Sequence, residues 1–288
     1  MSAGYDKLVS VETLADHLDD PAWRVFDCRH DLGNTAYGEQ AYAKGHIPGA
    51  LFMHCDRDLS GPMTGTNGRH PLPDIDAFAQ RMSECGIGPD TQVVCYDNEA
   101  SAFASRLWWL LRWLGHDKVA VLNGGLPAWR RAKLPFETDV RPVPPAQFVA
   151  RPRPGMLVDA AHVAAHLGQP DMLLIDGRSE ERYAGQNETL DPVAGHVPGA
   201  LNFFYFDSLD DAAVHFKPAD ELRAEFADLI GDSDPKCVVH MCGSGVTACV
   251  NVLGMELAGL SGSKLYAGSW SEWCSDPARP VATGDQPG

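Results

Sequence analysis

Short apolar runs alternate with amphipathic stretches along most of this chain. In the first half, "ETLADHL" has helical spacing and "WRVFDCR" is a short strand-like run. "DIDAFAQRMSECGI" repeats its apolar positions every three or four residues, "TQVVCYD" is strand-like, "SAFASRLWWLLRWLG" predicts a long helix, and "KVAVLNGG" predicts a strand ending in a glycine turn. The second half gives the same succession with "MLLIDGR", "ELRAEFADLIG", "KCVVHM", "ACVNVLGMELAGL" and "KLYAG". Continuous apolar runs, unlike alternating ones, are what strands buried on both faces require. Strand alternating with helix predicts an α/β fold in which each half is a parallel sheet flanked by helices. Functional groups in such sheets gather at the carboxyl ends of the strands. The Trp-rich helix carries its apolar residues at helical spacing, which predicts core or domain interface rather than cofactor or membrane contact.

The succession repeats because the chain does. "GHIPGA" at Gly45–Ala50 returns as "GHVPGA" at Gly195–Ala200, and "FDCR" at Phe26–Arg29 returns as "IDGR" at Ile175–Arg178. "QVVCYD" resembles "KCVVHMC", and "NGGLPAW" ending at Trp129 resembles "AGSWSEW" ending at Trp273. All four pairs keep their order, at offsets between 144 and 150, as a duplicated domain would. The proline-rich stretch Arg141–Gly155 disfavours helix and central strand and reads as a linker. The expected organisation is a first domain over 1–142, a linker over 143–155 and a second domain over 156–288.

Composition narrows the function. A length of 288 residues suits two domains of ordinary size. The net charge of −16 repels phosphate backbones, so no nucleic-acid partner is expected. No apolar run approaches the roughly 18 residues that span a bilayer, and the first residues lack the basic and apolar regions of a secretory signal. The expectation is a cytoplasmic protein with free thiols and no membrane partner. Eight cysteines without a C-x-x-C pair suggest neither a disulfide scaffold nor a zinc site.

The duplication also serves as an internal control, since features confined to one half are candidates for chemistry. Strand alignment sets Asp97 against Cys242, so "CYDNEASAFASR" stands opposite "HMCGSGVTACVN". Cys242, Gly243 and Gly245 therefore belong to the second half alone. Glycines there permit a loop whose N–H groups turn toward an anion, and the following helix adds its positive end. A thiolate at that point is expected to be stabilised. Against this stands a plain alternative, a small buried core residue. The first-half loop lacks the glycines, so its N–H groups are not expected to converge on a thiolate introduced there. Thr247 is expected to orient the loop or cap the next helix, and Cys249 to be structural. Asp27, Arg29, Asp176, Arg178, His46 and His196 recur in both halves and read as structural.

Tandem halves with "GH-x-PGA" and a second-half "CGSGVTA" loop resemble the two-domain rhodanese sulfurtransferases, and the loop most resembles the 3-mercaptopyruvate branch. The resemblance implies an inactive first domain, a catalytic second domain and double displacement through a persulfide on Cys242. It implies a substrate loop of Gly243, Gly245, Val246 and Thr247, with a catalytic role for Ser244. His70 in "NGRHPLP" and Asp56 in "CDRDLSG" match residues said to complete a Cys/Ser/His/Asp arrangement, although His70 aligns with His215 and duplication alone accounts for it. Arg182, whose first-half counterpart by counting is Gly33, resembles the family's carboxylate-binding arginine; otherwise it is a solvated surface residue. The second arginine usual in the family is missing from "QNETLDPVAGH". Gly243 and Ser244 themselves offer no cation near the nucleophile, which favours 3-mercaptopyruvate over thiosulfate. The implied partners are a small-molecule sulfur donor and a thiol acceptor such as thioredoxin or a small thiol; no metal or organic cofactor is implied. A cysteine phosphatase would need an arginine six residues after the cysteine, where Ala248 stands. A non-catalytic binding module would be favoured had the second half lost its nucleophile.

Overall fold

The computed structural model describes residues 4–210, 212 and 214–288. The chain forms two compact units, each described here by itself. The first contains β1 (Leu8–Val9), α1 (Val11–Asp16), β2 (Trp23–Asp27), α2 (Tyr37–Lys44), β3 (Leu51–Phe52), α3 (Ile75–Glu84), β4 (Gln92–Tyr96), α4 (Ala102–Trp113), β5 (Val119–Leu122) and α5 (Gly125–Arg131). The second contains β6 (Leu157–Val158), α6 (Ala160–Ala165), β7 (Leu173–Asp176), α7 (Glu180–Tyr183), β8 (Leu201–Asn202), α8 (Ala219–Ile230), β9 (Val238–Met241), α9 (Ala248–Leu257), β10 (Lys264–Tyr266) and α10 (Ser269–Trp273).

Each unit is one five-stranded parallel sheet, ordered β1-β5-β4-β2-β3 in the first and β6-β10-β9-β7-β8 in the second. The two orders are the same strand for strand, as a duplication requires. Central strands β4 and β9 are buried along their whole length, which explains their unbroken apolar runs. Helix α4 is a core element: Trp108 and Trp109 are fully buried and Trp113 nearly so. Trp129, Trp270 and Trp273 fill the cores beneath α5 and α10.

The recurring polar residues are structural in both units. Arg29 holds Asp27 with two nitrogens and donates to the Gly45 carbonyl; Arg178 does the same with Asp176 and Gly195. Each arginine thereby ties the end of β2 or β7 to the "GH-x-PGA" turn. His46 stacks on Tyr42 and His196 on Tyr183, and those tyrosines donate to the carbonyls of Ala50 and Ala200.

The units do not follow the chain without interruption. The first gathers Met1–Gly61, Leu72–Arg153 and Asp211–Phe216, while the second gathers Pro62–Pro71, Pro154–Asp210 and Lys217–Gly288. Each half thus lends a short segment to the other half's unit. The proline-rich stretch lies along the first unit: Ala146 donates its N–H to Ser83, Arg151 to Leu114 and Arg153 to Trp113.

Candidate active site

Strand β9 ends at Met241 and α9 begins at Ala248, so Cys242 opens the intervening loop at the carboxyl edge of the central strand. Its side chain is buried, and its Sγ accepts the Gly245 N–H at 3.2 Å. Its own N–H donates to Ser269 Oγ at 3.1 Å, and that hydroxyl donates to the Tyr266 carbonyl. Gly245 sits at φ +76°, and a Cβ there would lie 2.1 Å from the Ala267 carbonyl oxygen. Both the left-handed backbone and the close approach require glycine. Val246 is buried beside it. Thr247 occupies the N-cap position of α9, but its side chain makes no capping hydrogen bond, contrary to expectation: its backbone is already helical, and a capping side chain works from an extended one. Cys249 is fully buried and its thiol faces the Gly245 carbonyl at 3.5 Å.

Ser244 and His70 meet within the second unit. The segment Pro62–Pro71 belongs to that unit, and His70 Nδ1 lies 2.7 Å from Ser244 Oγ, both side chains buried. The direction of that hydrogen bond follows the imidazole tautomer. His215, the duplicate of His70, lies in the segment lent the other way, beside Gly124 in the first unit. The exchange is itself duplicated, and in the second unit it brings His70 to a hydroxyl of the cysteine loop.

The same lent segment carries a residue that sequence reasoning passed over. Arg69 donates its backbone N–H to Ser271 Oγ and pairs through Nη1 with Asp191. A Cβ on Gly243 would lie 2.9 Å from Arg69 Nη2 and 3.3 Å from both Arg182 Nη atoms. Two guanidinium groups therefore close on the residue following Cys242: Arg182, expected from a flanking loop, and Arg69, which was not expected. The physical reason is tertiary: both cations come from other segments, and Gly243 leaves them room. Arg182 donates to Glu188 through Nε and Nη2 at about 3.0 Å and to Asp191 at 3.3 Å. It is one-fifth exposed, which excludes a solvated surface arginine. The stretch "QNETLDPVAGH" supplies not a second arginine but two buried carboxylates that aim Arg182 and Arg69. Burial works against ionisation of Glu188, but the N–H of Leu190 and the Arg182 guanidinium outweigh it and hold its carboxyl below the usual range. Arg182 Nη1 and Arg69 Nη2 keep no bond to a described residue and remain available to an anion. The shared role of Tyr42 and Tyr183 makes Ala41, not Gly33, the first-half counterpart of Arg182; α2 runs directly into its "GH" turn, whereas a loop follows α7.

Asp56 belongs to the first unit, with carboxylate oxygens 3.8 Å from His30 Nε2 and 4.0 Å from His54 Nδ1. Among the described residues, His30, Cys55 and Asp56 are the one group whose metal-ligating atoms lie within 4.8 Å of one another. Burial pushes the Cys55 thiol up to about 12, so it is a poor thiolate donor.

The first-half loop gathers donors of its own. The N–H groups of Glu99, Phe103 and Ala104 all donate to the Asp97 carboxylate at 2.9 Å. Without glycine, these N–H groups converge on the carboxylate of the residue that replaces the cysteine. Ala100 takes the left-handed conformation at φ +55°, the place Gly245 holds in the second loop. Among the described residues, no helix is long and apolar enough to cross a membrane.

The profile of the rhodanese-like domain family matches residues 10–132 and again 159–276. The chain is 45% identical over 281 residues to a probable 3-mercaptopyruvate sulfurtransferase of Pseudomonas aeruginosa, covering 97% of this chain and 99% of that one. It is 38% identical over 287 residues to a putative thiosulfate sulfurtransferase of Mycobacterium tuberculosis, covering 99% of each. Among solved structures, the 3-mercaptopyruvate sulfurtransferase from Leishmania major matches with a TM-score of 0.82 at 30% identity, over 93% of this chain and 74% of that one.

Proposed function

This chain belongs to the rhodanese-domain family and is a sulfurtransferase; from that premise we propose that it takes sulfur from 3-mercaptopyruvate and passes it, through a persulfide on Cys242, to a thiol or cyanide acceptor. The observation that carries this reading is the placement of the Arg69 and Arg182 guanidinium groups beside Gly243, one residue from a buried cysteine whose sulfur accepts a loop N–H.

The donor binds as an anion, its carboxylate between Arg182 Nη1 and Arg69 Nη2. The Cys242 thiolate attacks the donor sulfur. An S–S bond forms, the C–S bond breaks, and its electron pair becomes pyruvate enolate. The enolate oxygen develops beside the Ser244 hydroxyl, and His70 relays a proton through that hydroxyl to give pyruvate. The persulfide charge rests on the loop N–H groups. An acceptor thiolate or cyanide then attacks the outer sulfur, and Cys242 leaves as thiolate, ready for the next donor. The first half, whose loop carries Asp97 in place of the cysteine, takes no covalent part.

Thiosulfate is a second reading that the geometry favours more than the sequence did, because two guanidinium groups stand beside Gly243, the residue after the nucleophile, and a compact dianion gains from them. Thiocyanate production from 3-mercaptopyruvate and from thiosulfate, measured side by side with cyanide as acceptor, decides between them. A higher kcat/KM for 3-mercaptopyruvate is expected; the reverse order would make thiosulfate the donor.

A further inference from the structure

The duplication exposes a second feature, in the half without the cysteine. Arg178 of the second unit is covered on every side: Asp176 and the Gly195 carbonyl take its Nε and Nη2, Glu188 meets Nη1 at 3.4 Å, and the Trp270 ring lies 4.7 Å from the guanidinium carbon. Its counterpart Arg29 keeps only the first two partners. Leu126 stands where Trp270 would, and α2 runs straight into the turn without the loop that brings Glu188. The uncovered side of Arg29 opens onto a cleft of about 330 Å³, lined also by Tyr37, Ala41, Lys44, Arg130 and Phe136.

Three cations converge on that cleft in a chain whose net charge is −16. Arg29 is 2% exposed, and its Nη1 bonds to no described residue. Among the described residues neither Lys44 nor Arg130 has a carboxylate partner, whereas most arginines of this acidic chain do. The Arg130 guanidinium is held over the Phe136 ring at 5.8 Å. Apart from Arg29, these groups are not inherited from the repeat: the second half has Ala194 opposite Lys44, Cys274 opposite Arg130 and Val281 opposite Phe136.

We infer that this cleft of the first unit binds a compact oxyanion of the phosphate or sulfate class. A planar guanidinium at the floor offers one directed N–H donor, and Lys44 and Arg130 at the rim neutralise the charge of a dianion. Ala41, the counterpart of Arg182, lines the cleft with a small side chain. The cations at the rim are exposed, so binding weakens with added salt.

The test is an amide-resolved NMR titration of the full-length, ¹⁵N-labelled protein with inorganic phosphate, with chloride holding the ionic strength constant. Saturable shifts are expected at Lys44, Gly45 and Phe136. The Lys44→Ala/Arg130→Ala double variant is expected to bind at least about tenfold more weakly, since each removes a charge-assisted contact. Lys44→Arg/Arg130→Lys, which keeps both charges, is expected to retain saturable binding. Sulfur transfer by all three proteins is expected to be the same, because neither residue touches the cysteine loop. Shifts that are absent, that do not saturate, that are confined to Gly243–Val246, or that persist unchanged in the double alanine variant would overturn the inference, and none of these outcomes bears on the donor assay.

Discussion

Two loops in this molecule began as copies, and each now surrounds an anion differently. The Asp97 loop collects three N–H donors on a carboxylate that is part of the chain. The Cys242 loop directs the Gly245 N–H to a sulfur and brings two guanidinium groups to the adjacent glycine. A loop that carries its own carboxylate spends its N–H donors on that group. A loop that carries a small thiol has no anion of its own beyond that sulfur, and two guanidinium groups stand beside it. The turn is common property; the identity of one side chain and the cations recruited from elsewhere separate scaffold from site.

The most severe way to erase the difference is to remove the sulfur. Cys242→Ser is expected to lower sulfur transfer by at least about a thousandfold, as loss of a nucleophile does, while circular dichroism remains that of the parent. Intact-mass measurement after donor treatment should show one added sulfur on the parent and none on the variant. Retention of a tenth of the parent rate would mean that another group carries the sulfur.

A second change asks whether the glycine or only the turn matters. Gly245→Ala meets the Ala267 carbonyl at 2.1 Å in a left-handed conformation, which costs about 1–2 kcal/mol for the backbone alone. A lower Tm and a drop in kcat are expected. Ala100→Gly, the reciprocal change, is expected to leave the rate unaltered and shift stability by about 1 kcal/mol or less. Equal effects of the two in thermal unfolding and steady-state assays would mean that the loops are under the same constraint.

Third, Arg182→Ala and Arg69→Ala should each reduce kcat/KM for 3-mercaptopyruvate by about ten- to a hundredfold, the loss of one charged hydrogen bond. Either change also leaves Glu188 and Asp191 less compensated beside an anionic donor. Equal losses with thiosulfate would make the pair a general electrostatic device; no loss with either donor would remove it from the site.

The gentlest test concerns the filled loop. Burial pushes the Asp97 carboxyl up to about 7 from an ordinary 3.8, although three N–H groups pull the other way. A carboxyl raised in the folded state holds its proton longer than in the unfolded chain, so its contribution to stability is present at low pH and lost as pH rises from about 4 to about 7. Asp97→Asn removes that dependence. The Tm of the variant relative to the parent is therefore expected to rise between about pH 5 and pH 8. A difference independent of pH would place the Asp97 carboxyl at its ordinary value.

Much of this arrangement was written locally. The alternation of apolar runs and amphipathic stretches determined two parallel α/β units, because a strand buried on both faces must be apolar throughout. The repeat singled out Cys242 and Gly245, since a glycine at a left-handed turn and a thiol at a strand end are properties of adjacent residues. The two-residue strands β1, β3, β6 and β8 left no periodicity to read, being shorter than any repeat of the pattern. Other features were decided only when distant segments met. Arg69 stands 174 positions before Gly243, and nothing in its neighbourhood marks it as more than a loop residue. "QNETLDPVAGH" reads as a stretch without an arginine, yet its two carboxylates orient the arginines that other segments provide. His70 and His215 are equal in sequence, and it is the packing of a lent segment that brings His70 to Ser244. Spacing along a chain records what a residue's neighbours require of its backbone. Charge complementarity and close approach depend on distances in space, and those are determined by the tertiary fold.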